Sequence, residues 1–282
     1  MNMKANYHTH TVFCDGIDEP EDVILSAIDK GFDIIGFSGH SHTSFDESYA
    51  MSNDTVINYR RQIRDLADKY RNRINVLCGI EYDYYSDEVT EGWDYLIGSV
   101  HYIRVPLCEG DTLSDGFYGY IPVDESAEEL IRACERHYEC DIYRLVEAYF
   151  DTVSDVVRKT GCSIIGHFDL ITKFNENGEL FDVSHPRYIN AWQKALKCLC
   201  EYNVPFEINS NAVCKGYRTN PYPSLDILKD IKRLGGRIVY SSDCHNARYL
   251  DYGFDMMKEL AEAAGFDRRA VLLKDSVIDV EL

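Results

Sequence analysis

Seven short runs of apolar residues recur along the chain, separated by longer stretches with helical spacing. The runs are the segment leading into His8, then 33–38, 75–80, 95–100, 163–166, the segment ending in Glu207-Ile208-Asn209, and 237–242. They are continuous rather than alternating, as expected of strands covered on both faces. Helices are predicted over 19–30, 53–70, 126–138, 141–159, 186–202, 224–234 and 255–264. The first opens with Pro20 and the acids Glu21 and Asp22, and Gly31 stops it. The second carries Val56, Ile57, Ile63, Leu66 and Ala67 at helical spacing. Alternation of strand and helix implies parallel βαβ units, and so an α/β barrel. No linker, repeat or low-complexity tract divides the chain, so residues 1–282 read as a single domain. The longest irregular stretch, 103–124, holds Pro106, Gly110, Gly116, Gly119 and Pro122 among aromatics. It follows the strand that delivers His101 and is predicted to lie over the barrel mouth as a lid or binding loop. A second loop, 211–223, follows the sixth strand.

Six of the seven runs end in metal-ligand-type groups. These are His8 and His10 with Asp15 just behind, His40, Glu81, His101, His167, and Asp243 with His245. Side chains at the carboxyl ends of parallel strands converge on one mouth of a barrel. Nine such groups exceed the needs of one ion and point to two or three divalent ions. His8 and His10 share a face at i, i+2, and Asp243 and His245 repeat that spacing. A closed barrel would set the last strand beside the first. Glu81, standing alone at its strand end, suits a bridge between ions. Asp15, His40 and His245 could complete a separate ion. Taken singly, each group has an ordinary alternative, such as a hydrogen-bonded strand histidine or an ion-pair partner. As a set they do not, because buried charged groups are paired or metal-bound. His137 and His185, at helix edges, read as surface or capping residues. Ions sharing a hydroxide bring its pKa towards neutrality, which suits hydrolysis of an ester, above all a phosphate ester.

Charge and cysteine content narrow the setting. A net charge of −19 argues against nonspecific nucleic acid or anionic membrane as partner. An acidic protein that handles an anion needs local positive charge, which bound metal can supply. The ten cysteines read as reduced, with Cys78, Cys162, Cys198 and Cys200 in apolar segments. With no signal-peptide pattern at the start and no apolar run of membrane length, a cytoplasmic location is expected. The absence of a Cys-x-x-Cys pair argues against structural zinc.

His8-Thr9-His10-Thr11 with Asp15-Gly16, the strand into His40, Glu81, Gly98-Ser99-Val100-His101, Gly166-His167-Phe168-Asp169 and Ser241-Ser242-Asp243-Cys244-His245 stand in a specific order. From about residue 6 to residue 248 the chain resembles the polymerase and histidinol phosphatase (PHP) family. The resemblance implies a distorted (β/α)7 barrel of TIM-like type with a trinuclear metal centre of zinc, manganese or iron. It implies His8, His10, Glu81 and Asp243 on one ion, Glu81, His101 and His167 on a second, and Asp15, His40 and His245 on a third. Glu207-Ile208-Asn209 and Tyr222-Pro223-Ser224 are similar to the stand-alone histidinol-phosphate phosphatases of the family. The implied reaction is attack of a metal-bridging hydroxide on phosphorus, with Glu81 and Asp243 as catalytic groups. It would release L-histidinol and inorganic phosphate, a step of histidine biosynthesis. The alternative is another small phosphate ester, such as a nucleotide or sugar phosphate. Many members carry an acid where Gly39 stands, and His42 follows two residues after His40. Either histidine could be the ligand. Motif position favours His40, leaving His42 to touch the phosphate or protonate the leaving alkoxide. Lys173, Lys215 and Arg218 lie in loops after strands and are candidates for the phosphate. Arg218, between Gly216 and Pro221, is the preferred one. Asn209, at the end of the sixth strand, could orient a ligand or substrate. The expected partner is thus a small phosphorylated molecule, and the oligomeric state stays open.

Overall fold

The computed structural model describes residues 3–282. In chain order its elements are β1 (Ala5–Asn6), α1 (Pro20–Asp29), β2 (Ile34–Phe37), α2 (Asn53–Tyr70), β3 (Asn75–Asp83), β4 (Tyr95–Ser99), β5 (Tyr102–Pro106) and β6 (Tyr118–Pro122). They continue as α3 (Ala127–His137), α4 (Ile142–Ser154), α5 (Val156–Thr160), β7 (Ile164–Ile165), α6 (Pro186–Cys200), β8 (Phe206–Asn209) and α7 (Asn211–Cys214). The last are α8 (Leu225–Arg233), β9 (Ile238–Ser241), α9 (Phe254–Ala263), β10 (Arg268–Leu273) and β11 (Ser276–Glu281).

Seven strands form one parallel sheet in the order β1-β2-β3-β4-β7-β8-β9. The first and last meet through a parallel bridge between Thr9 and Cys244. There His10 N–H donates to the Cys244 carbonyl at 2.9 Å, and Cys244 N–H to the His8 carbonyl at 3.3 Å. The sheet is therefore a nearly closed seven-stranded barrel with helices outside it, as the alternating pattern predicts. Each helix turns an apolar stripe inward. α2, for example, buries Val56, Tyr59, Ile63, Leu66 and Tyr70, and Ser52 caps its start by accepting the Thr55 N–H.

The barrel interior beneath the mouth is filled by side chains, not open. Tyr95 crosses it, and its hydroxyl donates to the carbonyls of Tyr7 and Phe37. Gly79 makes room for that ring, since a Cβ there would stand within the Tyr95 side chain. The floor is the β10–β11 hairpin, whose Ala270, Val271, Leu272 and Val280 pack against Ala5, Tyr7, Leu77 and Ile97. The Tyr7 hydroxyl joins the two layers, donating to the Leu272 carbonyl at 3.1 Å and accepting its N–H at 2.8 Å.

Three features depart from the sequence reading. The 103–124 stretch is not irregular, because β5 and β6 pair antiparallel within it, with Arg104 opposite Tyr120. Pro106 and Pro122 occupy the last strand positions, where a missing N–H costs the ladder little. This hairpin is anchored midway along its ladder, where Phe45 stacks on Tyr120 with ring centroids 3.6 Å apart. The predicted helix 141–159 is two helices. Asp155 ends α4 and opens α5, accepting the Tyr84 hydroxyl at 2.9 Å. The apolar period runs on through that break, so the sequence does not report it. The C-terminal β10–β11 hairpin has no marker in the sequence, because its turn, Lys274-Asp275, lacks the usual Asn-Gly or Asp-Gly signal. All ten cysteines are free. Among the described residues no helix is long and apolar enough to cross a membrane.

Candidate metal centre

The ligand-type residues named above follow strands of the sheet at the same rim, except Glu81, which lies inside β3 shortly before Asp83 ends it. Local backbone devices finish the aim. After β1 the chain doubles back at Gly16, where a Cβ would strike the backbone of His10 and Thr11. That tight turn brings an Asp15 carboxylate oxygen to 3.0 Å from His245 Nε2, although the two residues are 230 positions apart. Asp243 adopts φ 50°, a left-handed conformation that aspartate tolerates better than most residues.

Four donors surround one point. His8 Nε2 lies 3.1 Å from Glu81 Oε2 and 3.6 Å from Asp243 Oδ1. His10 Nε2 lies 3.6 Å and 3.1 Å from the same two oxygens. His8 Nε2, His10 Nε2 and Glu81 Oε2 are buried and make no aligned hydrogen bond. Donors bound tetrahedrally at about 2.0–2.2 Å stand about 3.3–3.6 Å apart, so this set fits a divalent ion. The other Glu81 oxygen, Oε1, faces a different group, with His167 Nε2 at 3.1 Å, His101 Nε2 at 3.3 Å and the Ser99 hydroxyl at 2.7 Å. On the outer side, Asp15 lies 3.5 Å from both His10 Nδ1 and His40 Nε2. His40 Nδ1 turns inward to Glu81 Oε2 at 2.9 Å. His40 is thus shared between the Asp15–His245 group and the Glu81–His101 group, a closer mesh than three separate ligand sets.

Electrostatics favour a cation here. Burial alone would raise the Glu81 carboxyl, yet His8, His40 and His101 hold it well below the usual carboxylate range. Asp243 is lowered in the same way by His8 and His10 against its burial. His10 is pushed down to about 3 by burial and by His245 and His40 beside it, so it stays neutral, the form that ligates. Burial opposes a charge on His8, but Asp243, Glu81 and Glu207 around it raise its pKa well above the ordinary value. His8 therefore occupies a site where a positive charge, whether a proton or a metal ion, is strongly favoured.

Two buried carboxylates that sequence reasoning did not assign support the ring of donors. Glu207 Oε1 lies 2.7 Å from His8 Nδ1. Asp83 accepts the His101 backbone N–H at 3.1 Å and lies 3.2 Å from its Nδ1. A carboxylate behind a ligating imidazole fixes its tautomer. The available signal was an acid inside a largely apolar strand for Glu207 and at a strand end for Asp83.

The substrate-side candidates divide. The centre opens into a cavity of about 590 Å³ whose walls include Tyr49, Tyr102, Asp124, Lys173, Lys215 and Tyr222. Lys173 pairs with Asp124 at 3.2 Å, whereas Lys215 is exposed at the rim. Arg218 is not brought to this wall. Its Nε lies 2.8 Å from Glu176 and its Nη1 donates to the Thr172 carbonyl at 3.2 Å. Asn209 is sealed behind the centre and donates to Asp243 Oδ2 at 3.1 Å and Glu207 Oε2 at 3.0 Å, so it orients those carboxylates. His42 points away from the donors, between Glu47 at 3.1 Å and Asp87 at 3.3 Å. In that pairing both ring nitrogens face exposed carboxylates and neither faces the donors.

Comparison with known proteins agrees with this geometry. Residues 6–211 match the family described as the PHP domain. A Bacillus subtilis protein named histidinol-phosphatase is 27% identical, with 91% of this chain and 98% of that one aligned. A Schizosaccharomyces pombe protein named "probable histidinol-phosphatase" is also 27% identical, over 96% of this chain and 90% of its own. The crystal structure of a Lactococcus lactis histidinol phosphate phosphatase complexed with zinc, L-histidinol and phosphate superposes with a TM-score of 0.70. It covers 98% of each chain at 21% identity, a likeness of fold. With residues 6–211 of 282 matched, the chain belongs to the PHP domain family.

Proposed function

We propose that the protein is a metal-dependent phosphomonoesterase that hydrolyses L-histidinol phosphate to L-histidinol and inorganic phosphate. The observation that carries this reading is Glu81, a buried carboxylate whose two oxygens face two different sets of histidines. The names of the full-length relatives supply the substrate, and the zinc, histidinol and phosphate of the Lactococcus lactis enzyme are consistent with it. The proposed centre holds three divalent ions of zinc, manganese or iron. His8, His10, Glu81 and Asp243 serve the first, Glu81, His101 and His167 the second, and Asp15, His40 and His245 the third. Such ions would neutralise the phosphoryl oxygens and make a water molecule acidic enough to attack near neutral pH.

The chain's own groups do the rest. Lys215 at the rim draws in the phosphate, and Lys173, held by Asp124, adds positive charge to the cavity lining. Tyr49 packs edge-on against His40 at 4.8 Å and narrows the mouth. Thr112 and Leu113 from the β5–β6 hairpin close the cavity on one side.

The test is a panel of phosphate esters assayed with protein purified without chelator. Histidinol phosphate should have the highest kcat/KM. A nucleotide or sugar phosphate ranking above it would overturn the substrate, and full activity after exhaustive chelation would overturn the metal. Glu81→Gln should lower turnover by orders of magnitude with the far-ultraviolet circular dichroism unchanged. Anomalous scattering from crystals counts and identifies the ions.

A further inference from the structure

A second group of ligand-type side chains lies outside the barrel mouth. Cys108, Asp111 and His137 each offer a donor atom, and the three atoms lie within 4.8 Å of one another. Cys108 and Asp111 belong to the connection between β5 and β6, whereas His137 ends α3. Local hydrogen bonds create the juxtaposition. Cys108 N–H donates to Asp111 Oδ2 at 2.8 Å, and Asp111 N–H donates to the Cys108 carbonyl at 3.2 Å. This turn sets sulfur and carboxylate side by side. The last turn of α3 then places His137 Nε2 3.0 Å from Asp111 Oδ1. Gly119 on β6 leaves the space the carboxylate occupies, since a Cβ there would stand 2.5 Å from Oδ2.

We propose that Cys108, Asp111 and His137 form a metal clip of zinc type that fastens the outer part of the β5–β6 hairpin to α3. Thiolate, imidazole and carboxylate together form a borderline-soft set that selects zinc over magnesium or calcium. Zinc bonds of about 2.0–2.3 Å place ligand atoms roughly 3.3–3.8 Å apart, so the exposed Cys108 turn needs to close by no more than about 1.5 Å. Binding takes the thiolate and releases the thiol proton to solvent. The Asp111 carboxyl is already anionic. Burial raises it, but the Cys108 N–H, His137 and Arg136 together hold it below the ordinary value.

The clip has a consequence for the mouth. Thr112 and Leu113, which follow Asp111 directly, line the cavity of the main centre. An ion on Asp111 and His137 therefore ties that wall to a helix. Without it, Asp111 relies on His137 and on Arg136, whose Nη1 lies 3.1 Å away. Arg136 is a competitor for the same oxygen, not a helper. Its side chain is about one-third exposed, and its Nη1 can keep its bond to the Gly110 carbonyl at 2.8 Å when the ion takes the carboxylate.

Cobalt substitution tests the clip separately from the main centre, where the ligands of the proposed function are imidazoles and carboxylates. The full chain, loaded with Co(II) in place of zinc, should show a sulfur-to-cobalt charge-transfer band in the near ultraviolet. Cys108→Ser should abolish the band and lower the bound metal by one ion per chain, whatever number the main centre holds, with an unchanged circular dichroism spectrum. His137→Asn should do the same. Arg136→Gln should make that ion harder to remove with a graded chelator. Cys14 is the control, because its Sγ lies 3.5 Å from His10 Nδ1. A band that survives Cys108→Ser but is lost in Cys14→Ser, no sulfur band at all, or an Arg136→Gln protein that gives up the ion more readily would each overturn the proposal.

Discussion

Glu207 and His8 meet at 2.7 Å, carboxylate oxygen to Nδ1, with both side chains sealed from solvent. Through its other oxygen Glu207 accepts the His167 backbone N–H and the Asn209 amide, each at 3.0 Å. One residue of β8 therefore holds two donor-bearing segments of the rim. A carboxylate on Nδ1 selects the tautomer whose Nε2 lone pair faces the donors' shared point. Glu207→Gln should weaken metal retention by about 10- to 100-fold. Metal content after dialysis against graded chelator reads this, and turnover should partly recover in excess zinc. Retention equal to that of the natural protein would mean that packing alone orients His8.

Lys215 and Arg218 are predicted to behave differently. Lys215→Met should raise KM for the phosphate ester by about tenfold or more, the worth of a hydrogen bond to a charged group. Arg218→Met should leave KM nearer its starting value and lower the thermal midpoint, because Glu176 loses its partner. Steady-state kinetics and a melting curve on both variants distinguish the roles. The reverse pattern would return Arg218 to the anion.

Gly79 is a packing position. Gly79→Ala should cost about 1–3 kcal/mol, the usual range for overpacking, read from the urea midpoint. The penalty should shrink when Tyr95 is also cut to Leu, because the two sites are in contact and must couple. Strict additivity would show that the alanine is accommodated by some other shift.

Acid sensitivity should register at Asp155. Arg158 chiefly, with Tyr84, holds its carboxyl below the ordinary 3.8 despite partial burial. A folded pKa below the unfolded one gives stability that is nearly complete above about pH 4.5 and disappears as pH falls through the folded value. The stability difference between the natural protein and Asp155→Asn should stay constant from neutral pH to about pH 4.5 and close below it. A gap that instead varied between pH 6 and 8 would assign the effect to another group.

Much of the architecture was legible before any coordinates. The seven apolar runs became the seven parallel strands, in sequence order around the ring once the β5–β6 insertion is set aside. Runs such as 33–38 are legible because a strand covered on both faces has no polar alternation to hide it. The donors after them followed because a strand end is a local feature. Arg218 and His42 were harder. Both sit in loops, where a basic or imidazole side chain can turn either way, and Glu176, Glu47 and Asp87 decided the direction. Glu207 stands in a recognisable motif, but nothing within β8 shows that His8 lies behind it.

The linear sequence by itself determined the class of fold and the inventory of donors, because strand and helix periods and strand ends are written in neighbouring residues. Tertiary structure alone decided the rest. It placed Asp243 within 3.6 Å of His8, gave Glu81 two faces, drew His42 out of the centre and set Cys108 beside His137. Most of those relations span tens to hundreds of residues. They exist only because a twisted parallel sheet closes on itself and its loops fold back over the rim, distances that local spacing does not encode.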